Sequence, residues 1–230
     1  MKQPYEIYMA LRYLSAHGKS GFISFISLVS MSGIGLAVAV LIIVLSVMNG
    51  FERELQQRIL SIMSHATVSG IDKPLDDWSA LRERALSRTD VTAAAPYVDG
   101  QGLTMVGDRL SGVRVRGIEP DMEKEVSAIA DLMQEGDLNV LQPGSFRVII
   151  GRSLANELGV SVGDSMVLIL AEGRVTPAGL MPRMRTLEVS GLFEVGMYEY
   201  DSGLIYVHLE DAARLFESDG QATGLRLTVD

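Results

Sequence analysis

The 230-residue sequence predicts an α+β domain carried on one N-terminal transmembrane helix, with a short amphipathic helix before it. Three observations carry that reading. Residues 20–51 hold no charged side chain, a run of 32 positions, and about 20 apolar residues cross a hydrocarbon core of about 30 Å. Beyond residue 51 the chain alternates irregularly between strand-like and helix-like segments, which favours α+β over a doubly wound parallel sheet. No period of about 20–50 residues recurs, which argues against a solenoid.

Residues 1–21 place Ile7, Leu11 and Leu14 at helical spacing with Tyr5, Tyr8 and Tyr13 nearby. Aromatic rings favour the headgroup level, so a short helix lying on the membrane surface is expected there. Residues 22–50 are the expected membrane helix. Its densest part, residues 34–48, has Ser46 as its one polar side chain. Backbone groups in lipid must bond within the segment, and a helix achieves this. A cleaved signal would have an apolar core of about 7–15 residues and a small-residue cleavage site. This run is longer and flows into NGFERELQQRIL with no such site.

Charge sets the expected orientation. Residues 1–21 carry Lys2, Arg12 and Lys19 against Glu6, while residues 52–230 carry 17 basic and 28 acidic side chains. Basic residues beside a membrane helix stay in the cytoplasm. The N-terminus is therefore expected inside and residues 51–230 outside, in the periplasm of a diderm bacterium. The overall charge of -9 argues against nucleic acid as a partner. The chain has no cysteine, which excludes disulfides and thiolate metal sites.

Past the membrane, FERELQQRILSIM prolongs the helix with Leu55, Ile59 and Ile62 on one stripe. HATVSG reads as a strand. DDWSALRERALSR reads as a helix capped by Asp76 or Asp77. APYVDGQGLTMVGDRLSGVRVRGIEP reads as strand, turn and strand, with Gly107-Asp108 and Ser111-Gly112 supplying turn chemistry. EPDMEKEVSAIADLM reads as a short helix with loops. Then follow a strand at FRVIIG, a helix at RSLANELGV and a strand at SVGDSMVLILA. After residue 185 come a strand at TLEVSGLFEV, a loop at GMYEYDSG and a strand at LIYVHL. A helix at EDAARLF and a strand at TGLRLTVD complete the domain.

Residues 171–185, AEGRVTPAGLMPRMR, separate two good strands with two prolines, two glycines and three arginines. A connection this long is uncommon and often functional. A projecting β-hairpin that offers apolar and basic groups to a partner is expected.

Catalytic patterns are missing from the sequence. His17, His65 and His208 fit no HExxH-like metal spacing. There is no GxSxG elbow and no GxxxxGK[ST] phosphate loop. No catalytic residue, metal or cofactor is expected.

The stretch ISLVSMSGIGLAVAVLIIVLSVMNGFERELQQRIL, and SVMNGFEREL above all, closely resembles the first membrane helix of the lipoprotein-releasing permeases, the LolC/LolE family. VIIGRSLANELGVSVGDSMVLI resembles a segment of the wider MacB and FtsX group. The resemblance runs from Tyr5 to Asp230. It implies a MacB-like exported domain of two subdomains, in the N-terminal part of a longer permease of the inner membrane. It implies an ABC transporter that extracts outer-membrane lipoproteins and passes them to the periplasmic chaperone LolA. ATP hydrolysis would belong to a separate LolD-type ATPase, and a second permease subunit would be LolE-type or an identical copy.

RVTPAGLMPRMR is similar to the Hook that captures LolA in LolC-type subunits. The resemblance gives Val175, Thr176, Pro177, Leu180, Met181 and Pro182 to that Hook and Arg185 to its base. Ala178 and Met184 depart from the family pattern, and GMYEYDSG resembles homodimeric, LolF-like versions. In the family the outer part of the first helix lines the lipoprotein cavity. Val44, Val47, Met48 and Phe51 share one helix face and are the candidates for acyl-chain contact. Two other readings remain: a different MacB- or FtsX-like permease for small-molecule efflux or force transmission, and a singly anchored binding domain.

Overall fold

The computed structural model describes residues 5, 8–9, 12, 21–62, 66–70, 75–170, 174–176 and 179–229. Two compact units result, Met1–Gln56 and Gln57–Asp230. Most of the expected amphipathic segment, residues 1–21, lies outside the described residues; Tyr5, Tyr8, Met9 and Arg12 are helical.

Helix α1 runs from Gly21 to Ile62 without a break. Residues 25–52 within it are long and apolar enough to cross a membrane. Every described side chain of that stretch is exposed, and a Cβ added at Gly33, Gly35 or Gly50 would meet nothing. An exposed run this long and apolar suits the hydrocarbon core of a membrane.

The second unit is built on one nine-stranded mixed sheet. Its strands are β1 (Ala66–Ser69), β2 (Val91–Val106), β3 (Arg109–Ile118), β4 (Met133–Glu135), β5 (Arg147–Gly151) and β6 (Ser165–Leu170), then β9 (Met184–Phe193), β10 (Leu204–His208) and β11 (Gly224–Val229). A separate two-stranded sheet holds β7 (Arg174–Thr176) and β8 (Gly179–Met181). The helices are α2 (Trp78–Leu86), α3 (Pro120–Val126), α4 (Arg152–Leu158), α5 (Tyr198–Gly203) and α6 (Leu209–Leu215).

Six of the strands close a ring. β2 pairs β3, β3 pairs β10, β10 pairs β5, β5 pairs β9, β9 pairs β6, and β6 returns to β2. The period-2 alternation of strands sorts side chains to its two sides. Ile205 and Val207 of β10 join Val115, Val148, Ile150, Leu168 and Leu187 in the inner cluster. Leu204 and Tyr206 of the same strand join Ile149 and Phe193 in a second cluster with Ile129 and Leu138. Thus all of LIYVH is buried, which its unbroken apolar run foretells. Leu154 and Leu158 of α4 and Ala212 and Leu215 of α6 complete the inner cluster. Side chains of the strands and of these two helices together fill this cluster. Smaller clusters pack α2 against β2 and β11, and α3 against β2.

Asp77, not Asp76, caps α2, accepting from the Ala80 N–H at 3.0 Å. Gly107-Asp108 makes the β2–β3 turn, but Ser111-Gly112 lies inside β3, opposite Thr104 and Leu103. Ladder pairing overrides the local turn preference there. GMYEYDSG, expected as a loop, contains α5. The buried Asp201 stabilises it: its two carboxylate oxygens accept the N–H groups of Val195 and Gly196 at 2.7 and 3.0 Å. Burial pushes this carboxyl up, and those backbone donors oppose the shift.

Gly151 joins β5 to α4 at a point where a Cβ would sit 2.1 Å from the Asp201 carbonyl oxygen. Backbone cannot yield as a flexible side chain can. Gly151→Ala is therefore expected to cost about 1–3 kcal/mol, read as a drop in melting temperature by circular dichroism. Gly203→Ala, where a Cβ meets nothing, is the control and should leave the melt within about 0.5 kcal/mol.

Candidate functional site

Within the long connection of residues 171–185, β7 and β8 pair as the two arms of a hairpin. Arg174, Val175 and Thr176 pair antiparallel with Met181, Leu180 and Gly179. The side chains of Val175, Thr176, Leu180 and Met181, and the whole of Pro177, lie outside the described residues. Pro182 is described and exposed.

The foot of the hairpin is well defined. β6 and β9 are neighbours in the ring, from Ser165↔Glu188 to Ile169↔Met184. One more bond extends the ladder, from the Leu170 N–H to the Arg183 carbonyl at 2.9 Å. Arg183 forms an ion pair with Glu217 at 2.8 Å. Met184 is exposed, and Arg185 is exposed with its guanidinium 3.6 Å from the centroid of the Phe146 ring. That is close cation–π geometry.

Phe146 is itself held in an uncommon conformation. Its φ is +51°, a region that β-carbon sterics make costly for residues other than glycine. The preceding turn has Pro143 and Gly144 at its centre, Gly144 at φ +79°, and a Ser145 N–H to Gln142 carbonyl bond of 3.2 Å. This is the residue signature of a type II turn. Asp211, fully buried on α6, accepts the Gly144 N–H at 2.7 Å and the Phe146 N–H at 2.9 Å. The other side of the assembly is the inner cluster, against which the Phe146 ring packs.

On the helix, Val44, Val47, Met48 and Phe51 all stand exposed on α1, at 55%, 66%, 65% and 62%. They share a face by the i, i+3, i+4, i+7 rule. This face belongs to the first unit and the hairpin to the second.

Two further features lie apart from the sequence candidates. An open groove of about 670 Å³ is lined by Trp78 of α2 and by Leu209, Ala213 and Arg214 of α6, with Glu217 and Asp219 beside them. A buried charge cluster joins Arg226 of β11 to Glu123 of α3, and Arg116 to Asp99 through two bonds of 2.9 and 3.0 Å. Burial pushes the Glu123 carboxyl up, against the pull of Arg226 and Arg116. Burial also pushes the Tyr206 phenol up to about 12. Tyr206 Oη and Glu123 Oε2 have no hydrogen-bond partner among the described residues. Arg226 and Glu123 are buried, whereas the Arg116–Asp99 pair is partly exposed, with side chains at 17% and 27%.

His208, buried, uses Nδ1 to accept the Glu210 N–H at 3.2 Å, and its Nε2 lies 3.5 Å from the Glu119 carboxylate. It caps α6. Among the described residues, no three His, Asp or Glu side chains are grouped to hold a metal.

The model of the MacB-like periplasmic core domain matches residues 27–229. The chain belongs to that family. Among its relatives is the lipoprotein-releasing system transmembrane protein LolC of Xylella fastidiosa (strain Temecula1 / ATCC 700964). The two are 43% identical over 227 residues, 99% of this chain and 54% of that protein. LolC of Neisseria meningitidis serogroup B is 43% identical over 222 residues, 96% of this chain and 54% of that protein. LolE of Haemophilus influenzae is 30% identical over 228 residues, 97% of this chain and 54% of that protein. The chain thus spans about half the length of the curated relatives it matches. A MacB-like core domain on a single apolar N-terminal helix is the fold class that the sequence predicts.

Phe146, Asp211 and Glu217 escaped the sequence reading. Only the Pro-Gly pair at residues 143–144 marks their region beforehand. The pairings of Asp211 and Glu217 span 67 and 34 positions in the chain, and no periodicity reports such contacts.

Proposed function

We propose that the chain is the N-terminal part of a LolC-type permease subunit of an ABC transporter that extracts lipoproteins from the inner membrane and hands them to the chaperone LolA. The observation that carries this reading is the hairpin of residues 174–181, inserted between two neighbouring strands of the domain in a chain 43% identical to LolC proteins. The resemblance of RVTPAGLMPRMR to the family's Hook supports capture of the chaperone by that hairpin. The N-terminus is cytoplasmic and the domain periplasmic, as the charge asymmetry directs. Partners in this reading are a LolD-type ATPase, a second permease subunit of LolE type or an identical copy, and membrane lipid.

The energetics fit a driven process. Each buried acyl CH₂ contributes about 0.8 kcal/mol, so a lipoprotein with several chains does not leave the bilayer spontaneously. An apolar face on α1 gives the chains a place to go, and hydrolysis by the separate ATPase supplies the work. Deleting residues 175–184 from the full-length protein is expected to abolish photo-crosslinking to LolA while leaving ATPase association intact. Unchanged crosslinking would overturn the assignment of the hairpin.

A further inference from the structure

We propose that Phe146 is a positioning residue for Arg185 in chaperone capture, and that Asp211 sets Phe146; the inference rests on the hairpin reading above. Four observations lead there. The Arg185 guanidinium carbon lies over the Phe146 ring, 3.6 Å from its centroid. Among the described residues no carboxylate pairs with Arg185, whereas its neighbour Arg183 is engaged by Glu217. Phe146 holds a positive φ that a non-glycine residue keeps only when its surroundings impose it. Those surroundings are explicit: both N–H groups flanking Ser145 donate to the buried Asp211, and the Phe146 carbonyl accepts the Glu188 N–H at 3.2 Å.

The effect is to hold an exposed cation in one orientation beside the hairpin foot. A free arginine loses much side-chain freedom when it binds a partner. One already stacked on a rigid ring loses less, and its planar fork stays open to carboxylate or carbonyl oxygens. The ring cannot drift, because its other contacts are the inner cluster of the ring of strands. The partner surface it suits is therefore acidic or rich in carbonyl acceptors, and it meets the hairpin foot at the same time as the hairpin.

The test measures affinity of the full-length permease in nanodiscs for LolA. Phe146→Leu should weaken binding about three- to tenfold, and Phe146→Tyr should retain it. In an Arg185→Ala background, Phe146→Leu should add nothing. Ile149→Val, a core change with its own stability loss, should leave affinity unchanged and so separates positioning from general loosening. Full affinity in Phe146→Leu, or a loss that adds to that of Arg185→Ala, would overturn the proposal. The hairpin deletion distinguishes the two readings. If the deletion abolishes capture and Phe146→Leu does not, the positioning role fails alone. Were the Phe146 and Arg185 variants to weaken capture while the deletion did not, the surface would stand without the hairpin.

Discussion

Arg226→Met is expected to destabilise the folded domain by about 3–5 kcal/mol, because it leaves the Glu123 carboxyl buried without its partner. Arg226 is 3% exposed and Glu123 fully buried, so neither can turn to water. The loss should depend on pH. In the variant, burial without Arg226 raises the native-state carboxyl further above 4.5, the value an unburied glutamate takes. A group whose native pKa is raised stabilises below its unfolded pKa, and that contribution fades as pH climbs through the native value. The variant should therefore melt closer to wild type near pH 4.5 than at pH 8. Adding Glu123→Leu removes the orphaned charge and should recover most of the stability, since apolar pairs often replace buried ion pairs at little cost. A melt of Arg226→Met equal to wild type at pH 8 would show that the pair contributes nothing.

The second large effect concerns the helix. Met48→Asp in the full-length protein is expected to reduce lipoprotein release by at least about tenfold. Loss of contact with only two acyl CH₂ groups corresponds to that factor, at about 0.8 kcal/mol each. The helix itself should still insert. Met48 lies toward the outer end of the apolar stretch, where an acidic side chain costs less than the roughly 2.5–3.5 kcal/mol of the bilayer centre. Ser46→Asp is the matched control: it adds the same charge at similar depth on the opposite face, given 3.6 residues per turn. Release in membrane vesicles, followed by transfer of a lipoprotein to soluble chaperone, measures both. Normal release from Met48→Asp would remove Val44, Val47, Met48 and Phe51 from the substrate path.

The elements most legible in the sequence were those written by local rules. The 32 uncharged residues announce α1, Gly-Asp pairs announce the β2–β3 and α4–β6 turns, and unbroken apolar runs announce β5 and β10. Errors fell where long-range pairing decides. Ser111-Gly112 has turn chemistry, yet ten paired positions with β2 hold it extended. GMYEYDSG looks like a loop until Asp201 accepts two N–H groups from the preceding residues. For the hairpin, an unusual length and composition marked the place, and backbone pairing gives it form. The support beneath Arg185 was invisible, because Phe146 and Asp211 reach it from elements far away in the chain.

The ring of six strands bears on how the hairpin carries load. Both strands that enter the hairpin are walls of the ring, each flanked by a further paired strand. A pull along the hairpin therefore stretches β6 and β9 together and passes to β2 and β5 as shear across many ladder bonds at once. Peeling, which breaks bonds one at a time, has no free edge at which to begin. Such a mount is stiff, so a tug on the hairpin should reach the body of the domain rather than be lost in local unfolding.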